Sequence, residues 1–168
     1  MKKLFIIAGS NGSGKTTASY TILPEMLNCK EFVNADEIAK GLSPFQPESV
    51  AIQAGRLMLK RIDALLLSGK DFAFETTLST RHFVNTIKEA RKKGYYVTVL
   101  YLWLNSYKLA IERVKIRVEE GGHNIPEEVI KRISGDEEEL LRYAMRWVRK
   151  KLFSAGCPAC GNKCDTEK

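Results

Sequence analysis

The sequence predicts an α/β domain built on a parallel sheet of at least four strands. Short apolar runs alternate with stretches of helical periodicity, glycine or proline separates them, and the first apolar run ends in a glycine-rich loop. Such alternation joins parallel neighbours through right-handed crossovers. Of 168 residues, 44% are hydrophobic and 28% charged, as expected of one folded domain with one core, which excludes a disordered or collagen-like chain. No apolar run approaches the ~20 residues that span a bilayer. The basic Lys2 and Lys3 precede a run of only five apolar residues, below the ~7–15 of a signal peptide. The expectation is a cytoplasmic protein that does not enter a membrane.

The elements follow in order. Residues 4–8 form a continuous apolar run suited to a buried parallel strand, and a helix opens near Lys15. Residues 31–34 make a weaker strand. A loop around Pro44 and Pro47 leads into a long helix with Val50, Ala54, Leu57, Arg61 and Leu65 on one stripe, stopped by Gly69. Residues 71–75 form a third strand and 79–93 a helix with Phe83, Val84, Ile87 and Ala90 inward. After Gly94, residues 96–104 are the strongest strand, and Tyr95, Tyr96, Tyr101 and Trp103 read as core. Ala110, Ile111, Val114 and Val118 mark a helix ending at Gly121-Gly122. Asn124 with Glu127 and Pro126 resembles a capping box that starts the next helix. Asp136 and Glu139 repeat the device before an amphipathic helix whose acidic start and basic end complement its dipole. No strand-like run follows residue 105, so a fifth strand is expected to be missing. The domain is placed at residues 1–153, with a helical lid at about 106–134, and residues 154–168 as a flexible tail. Cys157, Cys160 and Cys164 in that tail fall short of the four ligands of a structural zinc site, and Cys29 stands apart, a pattern of free thiols in a reducing compartment.

Lys and Arg outnumber Asp and Glu by 27 to 20, a net charge of +7. Nine basic residues lie between Arg81 and Arg117, whereas eight acidic residues lie between 118 and 141. The segregation fits either solvated helix faces or a positive cleft for a polyanion.

Gly9-Ser10-Asn11-Gly12-Ser13-Gly14-Lys15-Thr16 satisfies G-x-x-x-x-G-K-[ST], directly after a strand and before a helix. Backbone N–H groups of such a loop surround a β-phosphate, the helix N-terminus adds positive potential, Lys15 reaches the β and γ oxygens, and Thr16 offers its hydroxyl to Mg²⁺. Thr17 completes the nucleotide-binding set. Lys15 is expected to face solvent until phosphate arrives. With the alternating strands and helices, the motif therefore predicts a P-loop NTPase, a three-layer αβα fold that binds a nucleoside triphosphate. An L-S-G-G-Q signature and an N-K-x-D base-recognition motif are both absent, so an ABC transporter ATPase and a regulatory GTPase are disfavoured.

A kinase further needs a base, a carboxylate near the metal, and cations over the γ-phosphate. Asp36, after the second strand, is placed to accept a hydroxyl proton or, alternatively, to cap the helix that follows. Glu75, at the end of the third strand, is placed to hold a Mg²⁺-bound water. Thr76 and Thr77 offer hydroxyls to an acceptor, and Arg81 can meet an acceptor phosphate. Arg113 and Arg117 share a helix face, Arg132 lies on the next helix, and the glycines between make a lid. His82 and His123 read as a surface residue and a hinge hydrogen-bonder.

With GSNGSGKTT at 9–17, NADEIAKGLSP at 34–44, FETTLST at 74–80 and RVKIRVEEGGHNIPEEVIKR at 113–132, the chain resembles the zeta-toxin family of P-loop kinases, also labelled predicted ABC-type ATPases. The resemblance implies ATP as donor with Mg²⁺, bound by Lys15 and Thr16, and phosphorylation of a hydroxyl on a UDP-sugar such as UDP-N-acetylglucosamine. It also implies Asp36 as the acceptor-activating residue, Arg117 and Arg132 as lid arginines, Glu75 and Thr77 beside the acceptor, and an antitoxin as partner. Two other readings compete: an NTP-binding regulator with slow hydrolysis, and a nucleic-acid-directed kinase. The alternating aromatics, read as core, weigh against the second.

Overall fold

The computed structural model describes residues 1–78, 82–104, 106–119 and 124–135. Four parallel strands, β1 (Lys2–Gly9), β2 (Phe32–Val33), β3 (Phe72–Thr76) and β4 (Tyr95–Leu102), form a sheet in the order β2-β3-β1-β4. The helices are α1 (Lys15–Thr21), α2 (Ala35–Leu42), α3 (Ala51–Ser68), α4 (His82–Lys92), α5 (Tyr107–Glu119) and α6 (Glu127–Gly135). A π-helical turn at Ile22–Met26 extends α1, and a 3₁₀ turn at Pro47–Val50 leads into α3.

β1 is buried on both faces because β3 and β4 flank it and helices lie above and below. On one face Leu4, Ile6, Phe72 and Phe74 pack against Met58, Ile62, Leu65 and Leu66 of α3 and Ile87 and Ala90 of α4. On the other, Phe5, Ile7 and Ala73 pack against Leu23 and Cys29. This alternation along single strands gives the three layers. A separate small core, Leu104, Ala110, Val114 and Ile130, holds α5 and α6 to one another.

Several local expectations need correction. The buried face of α3 is Ala54, Met58, Ile62, Leu65 and Leu66, one residue round from the predicted stripe. Leu57 is partly exposed, and Arg61 reaches outward to bond Glu31 at 2.7 Å, which its charge favours over the core. Tyr95 is core, its hydroxyl donating to the carbonyls of Leu65 and Lys70. Tyr96 and Trp103, at 61% and 55% exposure, are not. Alternation turns Tyr96 to the face opposite Tyr95 on β4, an edge strand among the described residues, and Trp103 lies just past the end of that strand, so neither aromatic finds a covering layer there. Glu127 begins α6 rather than sitting three residues into it. The carbonyl of Pro126 accepts the first helical bonds, and the Glu127 carboxylate pairs with Lys115 and Lys131. The predicted helix after Asp136, the missing fifth strand, the cysteines of the tail and the glycine hinge at 121–122 with His123 lie outside the described residues.

Candidate active site

The site forms where the carboxyl ends of β1, β2 and β3 converge, the end at which α/β sheets bind ligands. Residues 10–14 connect β1 to α1, with φ of 79° at Gly12 and 82° at Gly14. Gly9 carries φ of 142°, and a Cβ there would stand 2.2 Å from the Leu102 carbonyl oxygen, so only glycine fits beside β4. Gly14 is the cap of α1 and contributes no side-chain bond, which leaves the first N–H groups of that helix directed at the loop. Ser13 Oγ is buried with no hydrogen-bond partner. A buried hydroxyl left in this way fits a site completed by a phosphate group.

Contrary to the expectation of a solvent-facing lysine, Lys15 is only 6% exposed. Its Nζ donates to the Ser10 carbonyl at 2.7 Å and lies 3.7 Å from Glu75 Oε1. The reason is electrostatic: an ammonium folded into the loop finds a carbonyl and a carboxylate there, which offset its loss of water.

Strand register explains how Glu75 comes to the site. Val33 pairs with Phe74, so the next residue on each strand, Asn34 and Glu75, are neighbours, and Ile7 flanks Glu75 from β1. Glu75 Oε2 accepts from Thr16 Oγ1 at 2.9 Å and from Asn34 Nδ2 at 2.8 Å. Burial pushes the Glu75 carboxyl above its usual range; Lys15 and the Thr16 hydroxyl oppose the rise, and Asp36 adds to it. The carboxylate that meets Thr16 is thus the group a metal-bound water would need, and Thr16 Oγ1 is the hydroxyl a metal would need. Among the described residues no cluster of three His, Cys, Asp or Glu side chains forms a metal site; a Mg²⁺ ion held mainly by phosphate and water does not require one.

Asn34 was not singled out from the sequence. Its Oδ1 accepts from the N–H groups of Asp36 and Glu37, so it is the cap of α2, while its Nδ2 holds Glu75. The signal was present in its position: an Asn directly after a strand and before a helix is a favoured cap. Asp36 is therefore not the cap. It lies exposed in the first turn of α2, close enough to Glu75 to raise its proton affinity.

Thr76 is buried and its Oγ1 accepts from the N–H of Leu78, whose φ is 57°, a bond that leaves the hydroxyl proton available to donate, while Thr77 stands half-buried beyond it. Thr17 is exposed on α1. Arg81 lies outside the described residues. Arg117 is half-buried on α5, with Arg113 exposed one turn earlier, and Arg132 is exposed on α6. The structure thus gathers Lys15, Thr16, Asn34 and Glu75 into one cluster, with Asp36 at its rim, and carries Arg113, Arg117 and Arg132 on the α5–α6 pair.

Residues 1–143 match the zeta toxin family. An uncharacterized protein of Haemophilus influenzae is 30% identical over 129 residues, which span 77% of this chain and 90% of that one. Among solved structures, AvrRxo1-ORF1:-ORF2 with ATP is similar at a TM-score of 0.68 and 18% identity, covering 92% of this chain and 52% of that one. The PezAT chromosomal toxin-antitoxin system of Streptococcus pneumoniae matches at 0.52 and 14%, covering 90% and 88%. Shikimate kinase from Acinetobacter baumannii, in complex with shikimate, matches at 0.54 and 18%, covering 92% of each. At these identities the structural matches establish the fold, that of P-loop kinases. No helix among the described residues is long and apolar enough to cross a membrane. The family match over residues 1–143, most of the chain's length, shows that the chain belongs to the zeta-toxin family.

Proposed function

We propose that this protein is an ATP-dependent kinase that transfers the γ-phosphoryl group to a hydroxyl of a small molecule, a UDP-sugar such as UDP-N-acetylglucosamine. The observation that carries this reading is the cluster of Lys15, Thr16, Asn34 and Glu75 under an intact phosphate loop, with Asp36 exposed beside it. ATP enters with its phosphates against the N–H groups of residues 9–17, and Lys15 exchanges Ser10 and Glu75 for the β and γ oxygens. Thr16, with Glu75 through a water, would hold Mg²⁺, which when bound neutralises charge on the phosphate oxygens.

The acceptor hydroxyl oxygen forms a bond to the γ-phosphorus as the bond to the β–γ bridging oxygen breaks, and that electron pair leaves with ADP. Asp36 takes the hydroxyl proton; its exposure leaves it free for an acceptor, which a helix cap would not be. Thr77 and Arg81 serve the acceptor, with Thr76 shaping the turn. Arg117 and Arg132 stabilise charge on the transferred group. The family assignment and the two-protein complexes among structural relatives support a toxin held by an antitoxin.

The test is transfer from γ-labelled ATP to a panel of UDP-sugars, nucleosides, sugars and RNA ends. Labelled UDP-sugar is the expected product. Label on RNA ends alone would replace the acceptor class, and ATP hydrolysis with no labelled acceptor would favour an NTP-binding regulator.

A further inference from the structure

We propose that Ala110 is a positioning residue that sets Arg117 relative to the phosphate loop through direct backbone contact with Gly12, a role that rests on the kinase reading above. The tip of the loop and the first turn of α5 touch without a side chain between them. A Cβ on Gly12 would stand 2.8 Å from the Ala110 carbonyl oxygen and 3.4 Å from its Cα, and Gly12 has φ of 79°, so both space and backbone demand glycine there. On the other side of the contact Ala110 is fully buried.

Ala110, Val114 and Arg117 stand at i, i+4 and i+7 and share one face of α5. Arg117 is thus about 10 Å along the helix axis from the contact, on the same face. Two features join α5 and α6 into one packed unit. Its core of Leu104, Ala110, Val114 and Ile130 is separate from the two sheet cores, and Glu127 ties Lys115 of α5 to Lys131 of α6. A rigid lever resting on the loop tip lets occupancy of the phosphate cradle bias where the arginine lies, and lets the lever displace the arginine if its resting point is padded. Packed contacts of this kind transmit a single added methyl group.

Ala110→Val enlarges the buried residue whose carbonyl and Cα meet Gly12, so α5 must shift its backbone at that contact to make room in the small core. An error of ~1 Å in a catalytic group costs about 10²-fold, so kcat for ATP turnover should fall by roughly 10- to 100-fold with KM for ATP changed less than about threefold. Ala90→Val, which overpacks a buried alanine of α4 remote from the loop, controls for loss of stability and should leave turnover unchanged. If Ala110 acts through Arg117, Ala110→Val should have no further effect in an Arg117→Ala background.

A second readout does not use turnover. In amide hydrogen exchange, MgATP should slow residues 10–16 and also α5 in the wild type, whereas in Ala110→Val it should slow the loop alone. Full, multiplicative loss in the double variant, or α5 protection that survives Ala110→Val, would overturn the proposal. Loop protection with an unaltered rate in Arg117→Ala would overturn it too, by removing the group it positions. Absence of any loop protection by MgATP would instead bring down the nucleotide-binding reading itself, and this inference with it.

Discussion

Asn34 has two tasks, and two substitutions separate them. Its Oδ1 caps α2, accepting from Asp36 N–H at 2.7 Å, and its Nδ2 donates to Glu75 Oε2 at 2.8 Å. Asn34→Asp keeps the cap, since Asp serves as well as Asn, but sets an oxygen where the donor was. Two carboxylates 2.8 Å apart repel by about 6 kcal/mol at an effective dielectric of 20. The pair avoids this by keeping one proton. Holding a proton on a carboxyl of ordinary pKa ~4.3 costs about 1.4 kcal/mol per pH unit above that value, hence a ceiling of about 4 kcal/mol at pH 7 and about 1 kcal/mol at pH 5. For a chain of this size that corresponds to a fall in melting temperature of roughly 8–16 °C at pH 7 and 2–4 °C at pH 5.

The sign follows from linkage. The native carboxyl pKa is raised above its unfolded value, so the stabilising contribution is fully present below the unfolded pKa and is lost as pH rises through the native one. Asn34→Ala loses the cap and one donor, about 2 kcal/mol together, without adding a charge, and its deficit should vary much less with pH. The assay is thermal unfolding of the three proteins, free of nucleotide, from pH 5 to 8. Parallel pH profiles for the two variants, or an Asn34→Asp protein as stable as wild type at pH 7, would refute the bridging role of Asn34.

Lys15→Ala should abolish ATP-dependent turnover and also shift the melting temperature, because the buried Glu75 loses its cation; activity lost with an unchanged melting curve across pH 5–8 would contradict the Lys15–Glu75 contact. Asp36→Asn should cut acceptor phosphorylation by ~10²–10⁴-fold while ATP hydrolysis changes far less. Its melting temperature should hold, since Asn34 caps the helix; equal transfer rates in variant and wild type would remove Asp36 as base. Arg117→Ala and Arg132→Ala should each depress kcat, by up to ~10³-fold, more than they weaken ATP binding. Stopped-flow binding alongside steady-state rates tests this, and weakened affinity with normal kcat would reject the lid role.

Local chemistry made much of this protein legible from the sequence alone. The phosphate loop is contiguous, so the glycines, Lys15 and Thr16 declare themselves without a fold. The alternation of strand and helix is a local periodicity, and a parallel sheet is the arrangement such crossovers permit. What the tertiary structure decided are the relations between segments distant along the chain. Strand order and register bring Asn34 to Glu75 and Glu75 to Thr16, and no spacing within the sequence encodes a register between β2 and β3. The burial of Lys15 depends on that carboxylate, which arrives from 60 residues away. The exposure of Tyr96, and of Trp103 just past its strand, depends on which strands lie at the edges of the described sheet, a choice that the largely apolar segment Tyr95–Leu102 leaves open. Apolar patterning reports how much of a segment seeks cover, whereas only the assembled layers determine which neighbour supplies it.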